Sequence, residues 1–239
     1  MFRIQLAAVS VLMWGPAVVL GASASASSVA THGGSSTATA TGIGNGHANA
    51  YAGATNGGRA RADSVAIANR NGFARSDATA LADRGLAISR SRADARGYYG
   101  GRAISTSESI AATVGGVALS NSDSRARGYF GGEARSHSYS TALSRWGFAQ
   151  SDSRARSRGY FGGRARSVSD AMSGTFGGVA RSRVHTDSEA GFWASSSSDG
   201  VGLSLSGPGC HSTADVRATS RSTWFGRGRS NAAAIEIRP

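Results

Sequence analysis

The stretch Ala149-Gln150-Ser151-Asp152-Ser153-Arg154-Ala155-Arg156-Ser157-Arg158-Gly159-Tyr160-Phe161-Gly162-Gly163 decides the fold. Its odd positions are small and its even positions are large or charged until the aromatic-glycine corner ends the run. A repeat of two residues belongs to a strand, because successive side chains of a pleated chain point to opposite faces. Ala alone favours helix, but the interleaved Ser and Gly weaken that preference, and no apolar stripe at helical spacing occurs. Arg and Asp cannot be buried unpaired in such numbers. The Ala/Ser/Gly face therefore turns inward and the Arg/Asp/Gln face meets water.

The pattern repeats outward in both directions. Ala134, Ser136, Ser138, Ser140 and Ala142 alternate with larger residues, as do Ala165, Ser167, Ser169, Ala171 and Ser173, and the same phase holds from Ala38. Corners recur at steps of 13 to 17 residues or their doubles, and each carries an aromatic residue or one or two glycines. The aromatic-glycine corners are Phe73, Tyr99, Phe130, Phe148, Phe161, Phe176 and Phe192. Glycine supplies the positive φ that a tight turn requires.

These features predict an all-β fold: a narrow parallel β-solenoid or β-roll of about 15-residue coils with an Ala/Ser/Gly interior. Each coil would hold two short strands and two turns. Residues 38–207 leave room for about eleven coils and a rod of roughly 50 Å, with the aromatics in one ladder along one edge. The domain reading is a signal peptide over 1–26, a Ser/Gly/Thr-rich linker over 27–37, the repeat solenoid over 38–207 and an irregular cap or tail over 208–239. Arg3 precedes an apolar run from Leu6 to Leu20, and Ala22-Ser23-Ala24 and Ala24-Ser25-Ala26 fit the small-x-small cleavage pattern. The expected location is secreted, extracellular or at the cell surface, with no membrane span in the mature chain.

Composition narrows the function classes. After residue 30, Leu, Ile, Val and Phe are roughly one residue in eight, too few for an oily core; a disordered chain is the competing reading. Small residues offer another route, since they let sheets approach closely enough for backbone bonding and dense contact to replace bulk. The formal net charge is +12 and every basic residue is Arg, a side chain that grips carboxylate, sulfate and phosphate with two bonds at once. The candidate anion-contacting residues are Arg125, Arg127, Arg154, Arg156, Arg158, Arg164 and Arg166, and anionic polymers or surfaces are the candidate partners. End-to-end self-assembly is a second candidate. The single cysteine, Cys210, excludes an internal disulfide framework, leaving a thiol or a bridge between chains.

No catalytic arrangement is legible. The five histidines lack metal-ligand spacing, and no G-x-S-x-G elbow occurs. Acids recurring about once per unit suggest a calcium row, but the G-G-x-G-x-D signature is missing and charge balance for Arg explains them better. No enzyme activity and no cofactor are expected. Arg-Gly-aromatic segments such as 124–132 suggest RNA binding, but an export signal and strict alternation count against it.

Ser64-Val65-Ala66-Ile67-Ala68, Ala78-Thr79-Ala80-Leu81-Ala82 and Ala87-Ile88-Ser89 resemble the head repeats of trimeric autotransporter adhesins, best over residues 60–95. That family's regular Gly after each AxA unit is replaced here, and its stalk and membrane-anchor strands have no counterpart in the sequence. The resemblance implies a surface-exposed solenoid and carries over no functional residue. The functional expectation is a secreted repetitive structural or adhesive protein of an extracellular layer, matrix or fibre. The alternative is a soluble extracellular polyanion-binding or ice-binding β-solenoid module.

Overall fold

The computed structural model describes residues 23–30, 35–43, 46–55, 58–68, 73–99, 101–207, 210–223, 225 and 227–237. Residues 1–22 of the expected signal peptide lie outside this set. Twelve strands follow in chain order: β1 (Ser23–Ala30), β2 (Ser35–Ile43), β3 (Gly46–Ala54), β4 (Arg59–Ala68), β5 (Phe73–Ala82), β6 (Gly85–Gly97), β7 (Arg102–Gly128), β8 (Glu133–Gly159), β9 (Arg164–Ala190), β10 (Ser195–Ser206), β11 (His211–Ser222) and β12 (Arg227–Ile237). Among the described residues no helix is long and apolar enough to cross a membrane.

All pairings are parallel, and they wind the chain into a flattened two-faced solenoid. One face, termed A, stacks β1, β3, β5, the first half of β7, β8 and β9, then β10 and β12. The opposite face, termed B, stacks β2, β4, β6, the second halves of β7, β8 and β9, then β11. One coil takes roughly 31 residues, so that Ala134 pairs with Ala103 on one side and Ala165 on the other. The 15-residue unit is thus half a coil, and two units close each turn. The stack of eight strands on face A and seven on face B gives a rod of about 35 Å at the usual interstrand spacing rather than the expected 50 Å.

The solenoid also extends beyond the boundaries set from composition. β1 begins at Ser23 and pairs with β3, so residues 27–30 and 35–37, read as linker, lie in strands. Past Pro208, β11 pairs with β9 and β12 with β10, so the expected irregular tail continues the stack.

The interior follows the alternation. Ala134, Ser136, Ser138, Ala149, Ala155 and Ser169 are completely buried, and their neighbours face outward. Serine holds the two faces together. Ser122 Oγ donates to the Ser107 carbonyl at 2.5 Å, Ser124 Oγ to the Ser105 carbonyl at 2.7 Å and Ser153 Oγ to the Ser138 carbonyl at 2.7 Å, each across the interior. Ser138 Oγ donates in turn to Ser122 Oγ at 2.8 Å, and Ser169 Oγ to Ser153 Oγ at 2.8 Å. A hydroxyl that reaches the opposing backbone sets the sheets at about half the ~10 Å of ordinary stacked sheets. Ala, Ser and Gly fill most of that gap, Val184 and Thr186 enter it opposite Gly200, and most of the buried hydroxyls named here are tolerable because they find a partner.

Candidate binding faces

Two kinds of corner position everything on the surface. The A-to-B corners turn on Gly116, Gly147 and Gly178, with φ of 129°, 131° and 137°. A Cβ at any of them would overlap the backbone carbonyl of the glycine one coil earlier, so these corners are glycine by contact as well as by torsion. The B-to-A corners place Tyr99, Phe130 and Phe161 at φ of 51°, 52° and 50°, with Gly131 and Gly162 following at 78°. Consecutive left-handed residues form a primed tight turn, closed at Tyr98 by a Gly101 N–H to Tyr98 carbonyl bond of 3.2 Å.

Bulky residues in the left-handed region are strained, and this strain is held in place by stacking. Tyr99, Phe130 and Phe161 stack at 5.4 and 5.3 Å with planes within 9°, and Tyr98, Tyr129 and Tyr160 form a second column at 5.0 and 5.1 Å. Phe192, Trp193 and Phe225 continue the edge as a tilted cluster. The expected single ladder is therefore two columns on one edge, and three of the seven corner residues stand elsewhere. Phe176 meets Trp146 edge-on at the opposite edge. Phe148 lies within the second half of β8 on face B, between Val117 and Val179. Phe73 begins β5 on face A, beside the His47 ring at 5.3 Å. Stacked rings cover each other's faces and present only edges to solvent, which leaves little platform for a flat ligand.

The arginines divide between the faces. Among the described residues, face B projects fourteen arginines and seven acids, while face A projects seven arginines and five acids. Of the candidate anion-contacting residues, Arg125, Arg127, Arg154, Arg156 and Arg158 share face B, and Arg164 and Arg166 sit on face A. On face B only Arg61, Arg125 and Arg158 lie within 4.0 Å of a carboxylate; on face A, Arg75, Arg102, Arg135 and Arg166 do. Face B thus carries most of the uncompensated charge.

The charge concentrates around a shallow groove of about 370 Å³ lined by Arg154, Arg156, Arg183, His185 and Arg217, with Asp152 and Asp215 at its side. Register places His185 between Arg154 and Arg217 in one column, and Arg183 between Asp152 and Asp215 in the next. Partial burial lowers the His185 pKa, Arg156, Arg154 and Arg217 lower it further, and Asp187 opposes them. The imidazole is therefore neutral at neutral pH inside a ring of guanidinium groups. The Arg156 Nε is buried without a hydrogen-bond partner. An anionic group entering here would meet several forked donors and relieve their mutual repulsion. The threonines Thr39 and Thr41 project from β2 alone, above Asp63 and Val65 of β4, and form no rank.

Among the described residues no group of three or more His, Cys, Asp or Glu could hold a metal ion. Cys210 Sγ accepts from the Gly178 N–H at 3.1 Å and so ties the β10–β11 connection to the A-to-B corner one coil earlier. Sequence reasoning missed the segregation of charge between faces, although the 31-residue recurrence of Tyr99, Phe130 and Phe161 was the signal that would have assigned units alternately to two faces. Compared with known proteins, the chain matches no family, no curated protein and no solved structure.

Proposed function

We propose that this protein is a secreted structural, adhesive element of an extracellular layer, matrix or fibre, which holds an anionic polymer or surface against face B. The observation that carries the reading is the segregation of uncompensated arginine to one flat face of a rigid stacked scaffold. A row of guanidinium groups at interstrand spacing offers many weak contacts at once, and multivalent contact suits adhesion better than a single deep site does. The likeness of residues 60–95 to adhesin head repeats supports a surface location. Face B offers no aromatic platform beyond the half-buried Phe148, so recognition of bases by stacking has no basis there, and charge alone would select the partner.

The test measures binding of the purified protein to immobilised dextran sulfate as salt is varied. Affinity is expected to fall steeply and linearly on a log–log plot. Arg154→Gln with Arg156→Gln and Arg183→Gln should weaken binding at least about tenfold and flatten the slope, while Arg164→Gln with Arg166→Gln on face A should change it by less than about twofold. Equal losses from both sets, or salt-independent binding, would overturn the assignment of face B.

The bare strands at both ends favour an assembling element over an isolated binding module. Among the described residues, β1 and β2 pair only inward at one end, and every residue of β12 is exposed at the other. Such edges accept further strands. Assembled material should sediment and give a 4.7–4.8 Å reflection; protein that stays monomeric with undiminished dextran sulfate binding would instead fit the soluble module.

A further inference from the structure

Face A carries an exposed apolar stripe beside the A-to-B corners. One of its columns runs Val29, Gly53, Leu81, Ala112, Leu143, Gly174, Leu205, Ile237 over the eight stacked strands. The residues alternate large and small through Leu205. The neighbouring column, Ser27, Tyr51, Thr79, Ile110, Thr141, Met172, Leu203, Ile235, runs in the opposite phase as far as Met172. Together they make a checkerboard of projections and recesses. Val29 is 63% exposed, Leu81 38%, Leu143 42% and Ile237 47%. A recess of about 450 Å³ opens around Gly53 and Ala112, bounded by Val29, Leu81 and Val114.

Eight strands at ~4.8 Å by two columns at ~7 Å cover on the order of 500 Å², toward the small end of one partner's share of a specific interface. A patch of this size lies toward the upper end of what a solitary protein exposes, where such patches are commonly functional.

We infer that this stripe is a self-association face, covered by the same stripe of a second copy of this chain in antiparallel orientation. A two-fold axis parallel to the strands, at the middle of the eight-strand face, reverses the coil order. It sets Leu143 of each copy over Ala112 of the other, Leu81 over Gly174 and Leu205 over Gly53. In the next column it sets Met172 over Thr79 and Ile110 over Thr141. Because the stripe alternates and the number of strands is even, six of the eight pairs in the two columns set a projection against a recess, and the outer pairs Val29 with Ile237 and Tyr51 with Leu203 set projection against projection. The same rotation sets Arg102 opposite Glu133 and His47 opposite Asp199 in the charged half of the face. It also sets Asp77 against Asp170, where Asp77 already bonds Arg75 at 2.8 Å, and Ile104 against Arg135. Face B, with fourteen arginines against seven acids, repels its own copy and cannot pair in this way. A lipid surface fits less well, since a membrane-binding face rims its apolar stripe with basic residues, whereas face A mixes both signs. The inference does not depend on adhesion through face B and leaves that face open on both outer sides of the pair.

Sedimentation velocity over about 1–100 µM protein tests it, with circular dichroism as the check of fold. The unmodified protein should dimerise, and the dimer should persist in high salt because apolar contact holds it. Ala112→Leu fills a recess and should shift the equilibrium toward monomer by at least about tenfold, a cost in the range of overpacking an interface. Leu143→Ala removes the projection and should weaken it similarly. The double variant Ala112→Leu/Leu143→Ala restores one projection against one recess and should recover most of the dimer, a result that simple loss of apolar area cannot give. Arg154→Gln/Arg156→Gln should leave the dimer intact while weakening dextran sulfate binding, which separates this inference from the adhesive reading. A monomer throughout the concentration range, a double variant no better than its parents, or binding of neutral phosphatidylcholine vesicles abolished by Leu143→Glu would each overturn it.

Discussion

The stacked glycine corners give the sharpest test of the coil geometry. Gly147 and Gly131 both have positive φ, at 131° and 78°, but their surroundings differ. A Cβ at Gly131 meets nothing within 4 Å, whereas at Gly147 it would overlap the Gly116 carbonyl of the previous coil. Gly131→Ala should therefore cost only the torsional penalty of a left-handed residue, about 1–2 kcal/mol. Gly147→Ala carries a torsional penalty as well and must also push one coil off the next, adding about 1–3 kcal/mol as an overpacked contact does. The expected total is about 3 kcal/mol or more. Urea unfolding followed by circular dichroism gives the difference between the variants. Hydrogen exchange then localises it, because a stack of repeats need not unfold in one step. Gly147→Ala should raise exchange in residues 113–119 and 144–150, and Gly131→Ala should leave those amides protected. Equal costs for the two alanines, within about 0.5 kcal/mol, would refute the stacked-corner geometry and with it the 31-residue coil.

Three further outcomes follow from the interior and the edges. Ser122→Ala removes a hydroxyl that donates to the Ser107 carbonyl and accepts from Ser138, which keeps its 2.9 Å bond to the Ser122 carbonyl, and should cost about 0.5–1.5 kcal/mol in the same urea assay. Phe130→Gly should be more stable than Phe130→Ala by about 1 kcal/mol, since both lose the stacked neighbours Tyr99 and Phe161 but only glycine escapes the left-handed strain. Burial raises the Asp170 pKa, so the folded state holds its proton more tightly than the unfolded chain does, and stability is lost as pH rises through the folded pKa. Asp170→Asn should therefore raise the melting temperature at neutral pH, with the gain vanishing below the ordinary carboxylate pKa; a gain that persists in acid would refute the cause.

Acid has the opposite sign at the half-buried imidazoles. Burial, then Arg166 and Arg135, lowers the His137 pKa, and burial with its arginine neighbours lowers that of His185. Each favours the folded state fully above the ordinary histidine pKa and loses that contribution as pH falls toward its lowered value. An anion seated in the face B groove would reverse the trend at His185, since it favours the imidazolium.

Particular residues separate what the chain announces from what the fold adds. The run from Ala149 to Gly163 determined that Ser151, Ser153 and Ala155 turn inward and Arg154, Arg156 and Arg158 outward, because a period of two leaves no other face for charge. It also determined that the two sheets lie very close, since side chains this small bury enough only then. Nothing in that run tells whether the chain turns back after one unit or two. That choice belongs to the corners: Gly147 opens from A to B against Gly116 one coil below, and Phe130-Gly131 closes from B to A against Phe161 and its neighbours above. Only with both corners in place do Arg164 and Arg166 part from Arg158, and only then do Leu81, Ala112 and Leu143 fall into one column. Residues 31 apart share a surface because a full turn of backbone hydrogen bonds brings them into register, and the alternation along a single strand holds no record of that distance.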